Sequence, residues 1–71
     1  MGLRGLRQAR QSRGYSIGQL AAITGLRRET ITDLEHGRTE PQPYALARLA
    51  TALATTPTAL YDVRPALAER R

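Results

Sequence analysis

The sequence has no cysteine and a single histidine, His36. A disulfide and a thiolate metal site are therefore excluded, and so is a zinc site built from several histidines. No apolar run approaches the roughly 20 residues of a membrane span, and the N-terminus lacks the apolar segment of a secretion signal. We expect a water-soluble, cytoplasmic protein that binds no metal or cofactor and does not enter a membrane.

Lysine is absent too. All 11 basic residues are arginines, and against the six acidic residues they leave a formal net charge of +5. A small basic domain suggests a polyanionic partner, either nucleic acid or an anionic membrane surface. A GC-rich genome would also favour arginine over lysine whatever the function. The positions of the arginines are therefore more informative than their number.

The length and the available side chains limit what the protein can do. At 71 residues the chain has room for one small domain, which we place at residues 1–63. Residues 64–71 are weakly patterned and form either a C-terminal tail or the start of a linker. A catalytic nucleophile would have to be Ser12 or Ser16, and both are better explained as residues at helix boundaries. We therefore expect no enzymatic activity and no small-molecule substrate.

The strongest pattern lies in the centre of the chain, where the sequence reads SIGQLAAITGLRRETITDLEHG. Ser16 and Gln19 have the spacing of a capping box, which predicts the start of a helix. Gly25 can adopt the left-handed backbone conformation that turns the chain where this helix ends. Ile31 and Leu34 resume helical apolar spacing after the turn. The stretch predicts a helix-turn-helix unit, whose second helix can enter the major groove of DNA.

Helical signals continue on both sides of this unit. A first helix begins near Leu3 and stops at Gly14, and Gly5 inside it weakens its first turn. Pro43 opens a fourth helix and Pro57 a short fifth helix, because proline suits the first helical turn. No alternating pattern typical of a strand is present. We predict an all-α fold, a compact bundle of about five short helices.

The sequence resembles the phage-repressor family of helix-turn-helix domains, which has the lambda-repressor-like fold of Cro and XRE-type regulators. The resemblance covers about residues 6–62 and rests on these positions: Ser16, Leu20, Ala21, Gly25, Leu26, Thr30, Ile31, Leu34, Glu35, Gly37, Pro41, Leu46, Leu49, Ala50 and Leu53. It implies a DNA-binding domain that regulates transcription. The partners it implies are double-stranded DNA and a second copy of the chain.

The chain departs from the family pattern at three positions. Arg27 stands where the family usually has a Ser or Thr cap on the recognition helix. Ile17 replaces a polar residue that many members place against a phosphate. Ala54 replaces the usual glycine after the fourth helix. None of these changes conflicts with the fold.

The second helix of the unit has four candidate base-contacting residues, Arg28, Glu29, Thr32 and Asp33. They face outward when Ile31 and Leu34 face the core, and the resemblance matches them to the family's base-reading positions. Arginine donates to guanine O6 and N7, carboxylates accept from cytosine N4, and threonine contacts a thymine methyl group or a base edge. Alternatively, Glu29 only complements the helix dipole and Asp33 is a solvated charge.

Phosphate contacts are expected from the residues that flank this helix. By resemblance these are Ser16, Arg27, His36 and Arg38, and Arg13 is a further candidate. The alternatives are that His36 is an ordinary surface residue and that Arg13 and Arg38 are solvated charges.

Two charged residues, Arg10 and Glu35, fall where the apolar pattern calls for core residues. A charge at such a position is costly without a partner of opposite sign. The family also pairs an arginine with a glutamate at the matching positions. We therefore predict a partly buried ion pair between the first and third helices, which holds the recognition helix at its docking angle.

The resemblance implies a sequence-specific transcription regulator whose recognition helix, about residues 28–36, lies in the major groove. Because one half-site rarely gives enough affinity, we expect a homodimer on a palindrome with half-sites about 34 Å apart. The expected dimer contact surrounds Leu60, Tyr61 and Val63, unless Tyr61 and Val63 instead cap the core. The alternative function is a protein-interaction module of the same fold, such as an antitoxin.

Overall fold

The structure, a computed structural model, describes residues 3–61, which form five helices. These are α1 (Leu6–Ser12), α2 (Ile17–Thr24), α3 (Arg28–Glu35), α4 (Pro43–Ala52) and α5 (Pro57–Tyr61). No strand occurs within the described range, so the predicted all-α bundle is confirmed. None of the helices in that range is long and apolar enough to cross a membrane. Val63 and the predicted tail at residues 64–71 lie outside the described residues.

Leucine is the commonest residue of the core, and every helix contributes to it. The large side chains that are fully buried are Leu3, Leu6, Leu20, Ile31, Leu34, Leu49 and Leu60. Burying each one stabilises the fold by about 1.5–3 kcal/mol relative to leaving it exposed. The third helix supplies Ile31 and Leu34, so its core-facing side is fixed by two anchors one turn apart.

The dimer contact predicted at α5 needs a correction. Leu60 is fully buried, because this short helix packs it against α1 and α4. It therefore cannot form part of a contact with a second chain, and that part of the prediction is wrong. Tyr61, the next residue, is 43% exposed.

The segment before α1 is bound to the rest of the fold through its backbone. The N–H of Leu3 donates to the carbonyl oxygen of Leu34 (2.9 Å), and the N–H of Gly5 donates to that of Leu60 (2.7 Å). Gly5 is buried and is the N-cap of α1, so it precedes the helix. The prediction that Gly5 lies inside the helix and weakens its first turn is wrong. The two bonds engage carbonyl groups near the ends of α3 and α5, and the Leu34 oxygen also accepts from Gly37 N–H (3.3 Å).

The helix-turn-helix unit forms as the local sequence predicts. Gln19 N–H donates to the Ser16 hydroxyl oxygen (3.0 Å), and Ser16 N–H donates to the Gln19 side-chain oxygen (2.8 Å). These two bonds are the predicted capping box. Gly25 has a φ of +78°, the left-handed conformation that ends α2. In the turn, the buried Thr24 hydroxyl donates to the Leu20 carbonyl oxygen (2.8 Å) and accepts from Leu26 N–H (3.3 Å).

The end of α4 contains a left-handed residue that is not glycine. Ala54 has a φ of +53°, where the methyl group of an L-residue is strained. The N–H of Thr55, the following residue, donates to the carbonyl oxygen of Ala50 (2.9 Å). The chain therefore makes the backbone turn that glycine normally makes, with an alanine in its place.

Candidate nucleic-acid interface

The third helix packs against α1 and α2 and leaves one side outside the core. Arg28 and Glu29 in its first turn are exposed, and Thr32 and Asp33 one turn later are half-buried. The four residues predicted to contact bases therefore all lie outside the core formed by the same helix. This placement follows from the sequence pattern, because α3 is amphipathic and only eight residues long.

Arg28 lies against the start of α2. A Cβ atom added to Gly18 would come within 3.1 Å of Nη2 and 3.3 Å of Cζ of the Arg28 guanidinium. Within residues 3–61 this guanidinium has no hydrogen-bond or ion-pair partner, so its N–H groups remain available. The first turns of α2 and α3 are therefore in contact through Arg28. Ser16 is the N-cap of α2, the helix on which the Arg28 guanidinium lies.

Asp33 and Arg38 form an ion pair at the other end of α3. Arg38 Nη1 lies 3.3 Å from Asp33 Oδ1, and the two side chains are 41% (Asp33) and 64% (Arg38) exposed. The two charges are therefore paired with each other while both side chains remain open to solvent. An exposed pair of this kind contributes about 0–1 kcal/mol, so it can open readily when a partner offers better contacts.

His36 follows α3 as its C-cap. Its Nδ1 atom lies 2.8 Å from the carbonyl oxygen of Thr32. Because a carbonyl oxygen only accepts, Nδ1 must carry a proton in this arrangement. The other ring nitrogen, Nε2, could then donate to a phosphate only when the ring is positively charged.

The remaining candidates for phosphate contacts are two exposed arginines. Arg27 is the N-cap of α3 and makes no side-chain capping bond, as expected for a residue that replaces Ser or Thr. Arg13 is the C-cap of α1. In the described part of the chain neither guanidinium has a hydrogen-bond or ion-pair partner, so both are open to solvent.

Arg10 and Glu35 are paired in the structure. Arg10 Nε lies 2.7 Å from one carboxylate oxygen of Glu35, and Nη2 lies 3.2 Å from the other. A third N–H, on Nη1, donates to the backbone oxygen of Tyr15 (2.9 Å). The side chains are only 11% (Arg10) and 3% (Glu35) exposed. One buried guanidinium therefore links α1, the segment before α2 and the last residue of α3.

Sequence reasoning missed Arg48, which supports the turn from the side of α4. Its Nη1 donates to the Thr24 backbone oxygen (3.3 Å), and its guanidinium carbon lies 5.5 Å from the centre of the Tyr44 ring. The spacing of Tyr44 and Arg48, four residues apart in α4, indicates that the two side chains can meet. Nothing in the local sequence, however, indicates the bond to Thr24, which is 24 residues away.

The chain matches known helix-turn-helix proteins along most of its length. The helix-turn-helix family model HTH_3 matches residues 6–60. Among solved structures, the restriction-modification controller protein C.AhdI from Aeromonas hydrophila is 33% identical, with a TM-score of 0.75; the match covers 80% of this chain and 86% of that chain. Among curated protein sequences, none matches this chain significantly.

Two structures of the regulator SinR are also similar. SinR in complex with DNA, described as the master regulator for biofilm formation, is 25% identical with a TM-score of 0.75, over 83% of this chain and 95% of that one. In the complex of SinR with the SinI protein, the matched chain is 25% identical with a TM-score of 0.76, over 83% of this chain and 58% of that one.

Proposed function

This chain belongs to the HTH_3 family of Cro/XRE-type helix-turn-helix domains, which regulate transcription by binding DNA, and from that membership we propose that it binds a palindromic operator as a homodimer. In this proposal α3 enters the major groove and residues 28–36 form the recognition segment. The observation that supports it most directly is the orientation of α3. Its apolar residues are held in the core while Arg28, Glu29, Thr32 and Asp33 stay outside.

We assign base recognition to those four residues. Arg28 carries the most weight because its donors have no partner in the described part of the chain and its planar group can make two parallel bonds to guanine O6 and N7. Glu29 and Asp33 would accept from cytosine N4, and Thr32 would contact a thymine methyl group or a base edge. Asp33 is paired with Arg38 through Oδ1, and its second carboxylate oxygen has no bond within the described residues.

We assign phosphate contacts to residues around both ends of α3. Ser16, Arg27 and Arg13 lie near the starts of α2 and α3 in the chain, while His36 and Arg38 follow the end of α3. Contacts of this kind fix the position of the protein on the duplex without reading its sequence. If Arg38 transfers from Asp33 to a phosphate, one movement would supply a phosphate contact and free a carboxylate for a base.

The homodimer is supported by an affinity argument and by exposed surface on α5. A single small domain makes too few contacts to select one site among the genomic competitors. Tyr61 is a large, partly exposed side chain at the end of the described residues, and we place the dimer contact on the surface that contains it.

A protein-interaction module is the second candidate, and one comparison favours it. SinR, which has this fold, has been solved both with DNA and with the SinI protein. This fold therefore occurs in a protein that has been solved with each kind of partner, and a protein partner is the second candidate for this chain.

Selection of bound sequences from a random DNA pool, followed by a salt series on the selected site, separates the candidates. We expect enrichment of a palindrome and a steep fall in affinity with increasing salt, because phosphate contacts release counterions. Enrichment of no sequence, with binding that is weak at all salt concentrations tested, would rule out the DNA-binding function in favour of the interaction module.

A further inference from the structure

Gly18 is an unexpected residue at its position in α2. It is the second residue of the helix and its backbone is helical, so no left-handed conformation requires glycine there. Glycine inside a helix lowers stability relative to alanine, because it loses more backbone freedom on folding. Its presence at this position therefore has a cost that the fold itself does not explain.

The contact with Arg28 supplies an explanation. A Cβ atom on Gly18 would lie 3.1 Å from Nη2, 3.3 Å from Cζ and 3.3 Å from Nε of Arg28. Because these three distances are nearly equal, the Cβ position lies over the face of the guanidinium rather than in line with one N–H bond. The guanidinium thus rests with its flat face on the helix, and its N–H groups, which lie in its plane, point along the surface.

We propose that Gly18 is a positioning residue for base recognition: by lacking a side chain, it allows the Arg28 guanidinium to lie flat on α2 with its N–H edge free for a guanine. The proposal rests on the proposed function, in which Arg28 reads a base. An arginine already held in one orientation loses less side-chain freedom on binding than one that moves freely. A methyl group at Gly18 would displace the guanidinium by a few tenths of an ångström, and the flexible arginine would yield at little cost to the fold.

The test compares Gly18→Ala, Arg28→Ala and the double variant on the DNA site selected by the natural protein. Gly18→Ala should fold and melt at the same or a higher temperature, because alanine favours the helix. It should nevertheless bind the selected site about threefold to tenfold more weakly, as expected for an arginine that is no longer held in place. It should also relax base preference at the same base pair as Arg28→Ala, and have no further effect when Arg28 is already alanine.

A measurement without DNA provides a second readout. The Nε–Hε resonance of Arg28 in the free protein should shift in Gly18→Ala, because the new methyl group displaces the guanidinium that rests on Gly18. The resonance reports the contact itself, and the preference at a single base pair is the readout that a merely structural role for Gly18 would not change.

Two results would overturn the proposal in distinguishable ways. If Arg28→Ala relaxes one base pair but Gly18→Ala leaves binding and the Arg28 resonance unchanged, or adds its effect independently, then Gly18 does not position Arg28. If Arg28→Ala leaves base preference unchanged, the arginine does not read a base, and the assignment of Arg28 fails together with the role of Gly18.

Discussion

At the scale of single residues, the arginines differ in what their guanidinium groups already contact. Arg10 is buried against Glu35, and Arg48 is bound to the backbone at the end of α2. Arg38 is held in an exposed pair, and Arg28 rests on Gly18, with no partner for its N–H groups among residues 3–61. Of these four arginines, Arg28 and Arg38 can move to DNA without breaking a buried bond. We therefore expect substitutions of Arg28 and Arg38 to change DNA binding, and substitution of Arg10 to change stability.

The first prediction compares Arg28→Ala with Arg38→Ala. Loss of a two-bond contact to guanine should reduce the binding free energy by about 1–3 kcal/mol and relax preference at one base pair. Loss of a phosphate contact should weaken operator and random DNA alike and reduce the salt slope by about one for each bound chain, which is about two for a homodimer. Titration of both DNAs at several salt concentrations measures each quantity.

Asp33→Asn is the matched control for Arg38, because it weakens the pair that holds Arg38 while keeping the size of the side chain. If Arg38 contacts a phosphate, this change should leave the salt slope intact, whereas Arg38→Ala should not. Identical effects of Arg28→Ala and Arg38→Ala on operator and random DNA would refute the two roles.

Some residue contacts could be predicted from the sequence and others could not. The Arg10–Glu35 ion pair could be predicted, because a charged residue on an apolar stripe requires a partner of opposite sign. The bond from Arg48 to Thr24 and the contact of Gly18 with Arg28 could not be predicted, because each depends on how one helix approaches another. The burial of Leu60 was also not predicted. A helix of five residues has no apolar stripe long enough to indicate which side faces the core.

At the scale of the helices, the fold was predictable because its helix ends are specified locally. The Ser16–Gln19 capping box and the left-handed Gly25 fix α2 without help from distant residues. The start of α1 was less predictable, since Gly5 is drawn into backbone bonds with residues at the far end of the fold. A tertiary contact, the Arg10–Glu35 pair, joins α3 to α1, and we expect it to hold α3 at its angle.

The second prediction concerns this pair and its effect on stability. Arg10→Met or Glu35→Leu should each lower the free energy of unfolding by about 3–5 kcal/mol, because each strands a buried charge. The double variant should lose less than the sum of the two, since no unpaired charge remains. Arg10→Met should be the more damaging single change, because it also leaves the Tyr15 carbonyl oxygen without its donor.

The exposed pair provides a control within the same molecule. Asp33→Asn, Arg38→Ala and their combination should show a coupling of about 0–1 kcal/mol, as expected for a pair open to solvent. Denaturant unfolding of both sets of variants measures the two couplings side by side. Additive effects for Arg10 and Glu35 would mean that the buried pair does not couple α1 to α3.

The third prediction concerns the left-handed end of α4. Ala54→Gly should raise the stability of the protein by about 1 kcal/mol, because glycine relieves the strain at a positive φ by more than it loses in backbone entropy. The matched control is Ala47→Gly, an exposed position inside the same helix, where the same substitution should lower stability by about 1 kcal/mol. Thermal melts that shift in the same direction for both variants would contradict the strain at Ala54.

At the scale of the whole molecule, the chain has a net charge of +5. Most of its arginines lie at the surface, so this positive charge is exposed. In the proposed function this charge attracts the domain to any DNA, whereas the few side chains assigned to base contacts on α3 supply the selectivity. A second copy of the domain doubles both kinds of contact without enlarging the chain. Assembly is therefore the property that determines whether so small a domain can act as a regulator.

The fourth prediction tests that assembly through salt dependence and stoichiometry together. If Arg13, Arg27 and Arg38 each neutralise one phosphate, the logarithm of affinity should fall with the logarithm of salt concentration with a slope of about −5 for a dimer and about −3 for a monomer. At saturating protein, sedimentation of the complex should show two chains on a palindromic operator. A duplex with one half-site should bind far more weakly than the palindrome, because the second half-site contributes its own contacts and lies about 34 Å along the DNA. One chain per palindrome at saturation, together with the shallower slope, would show that the domain binds DNA as a monomer and that the exposed face of Tyr61 serves another purpose.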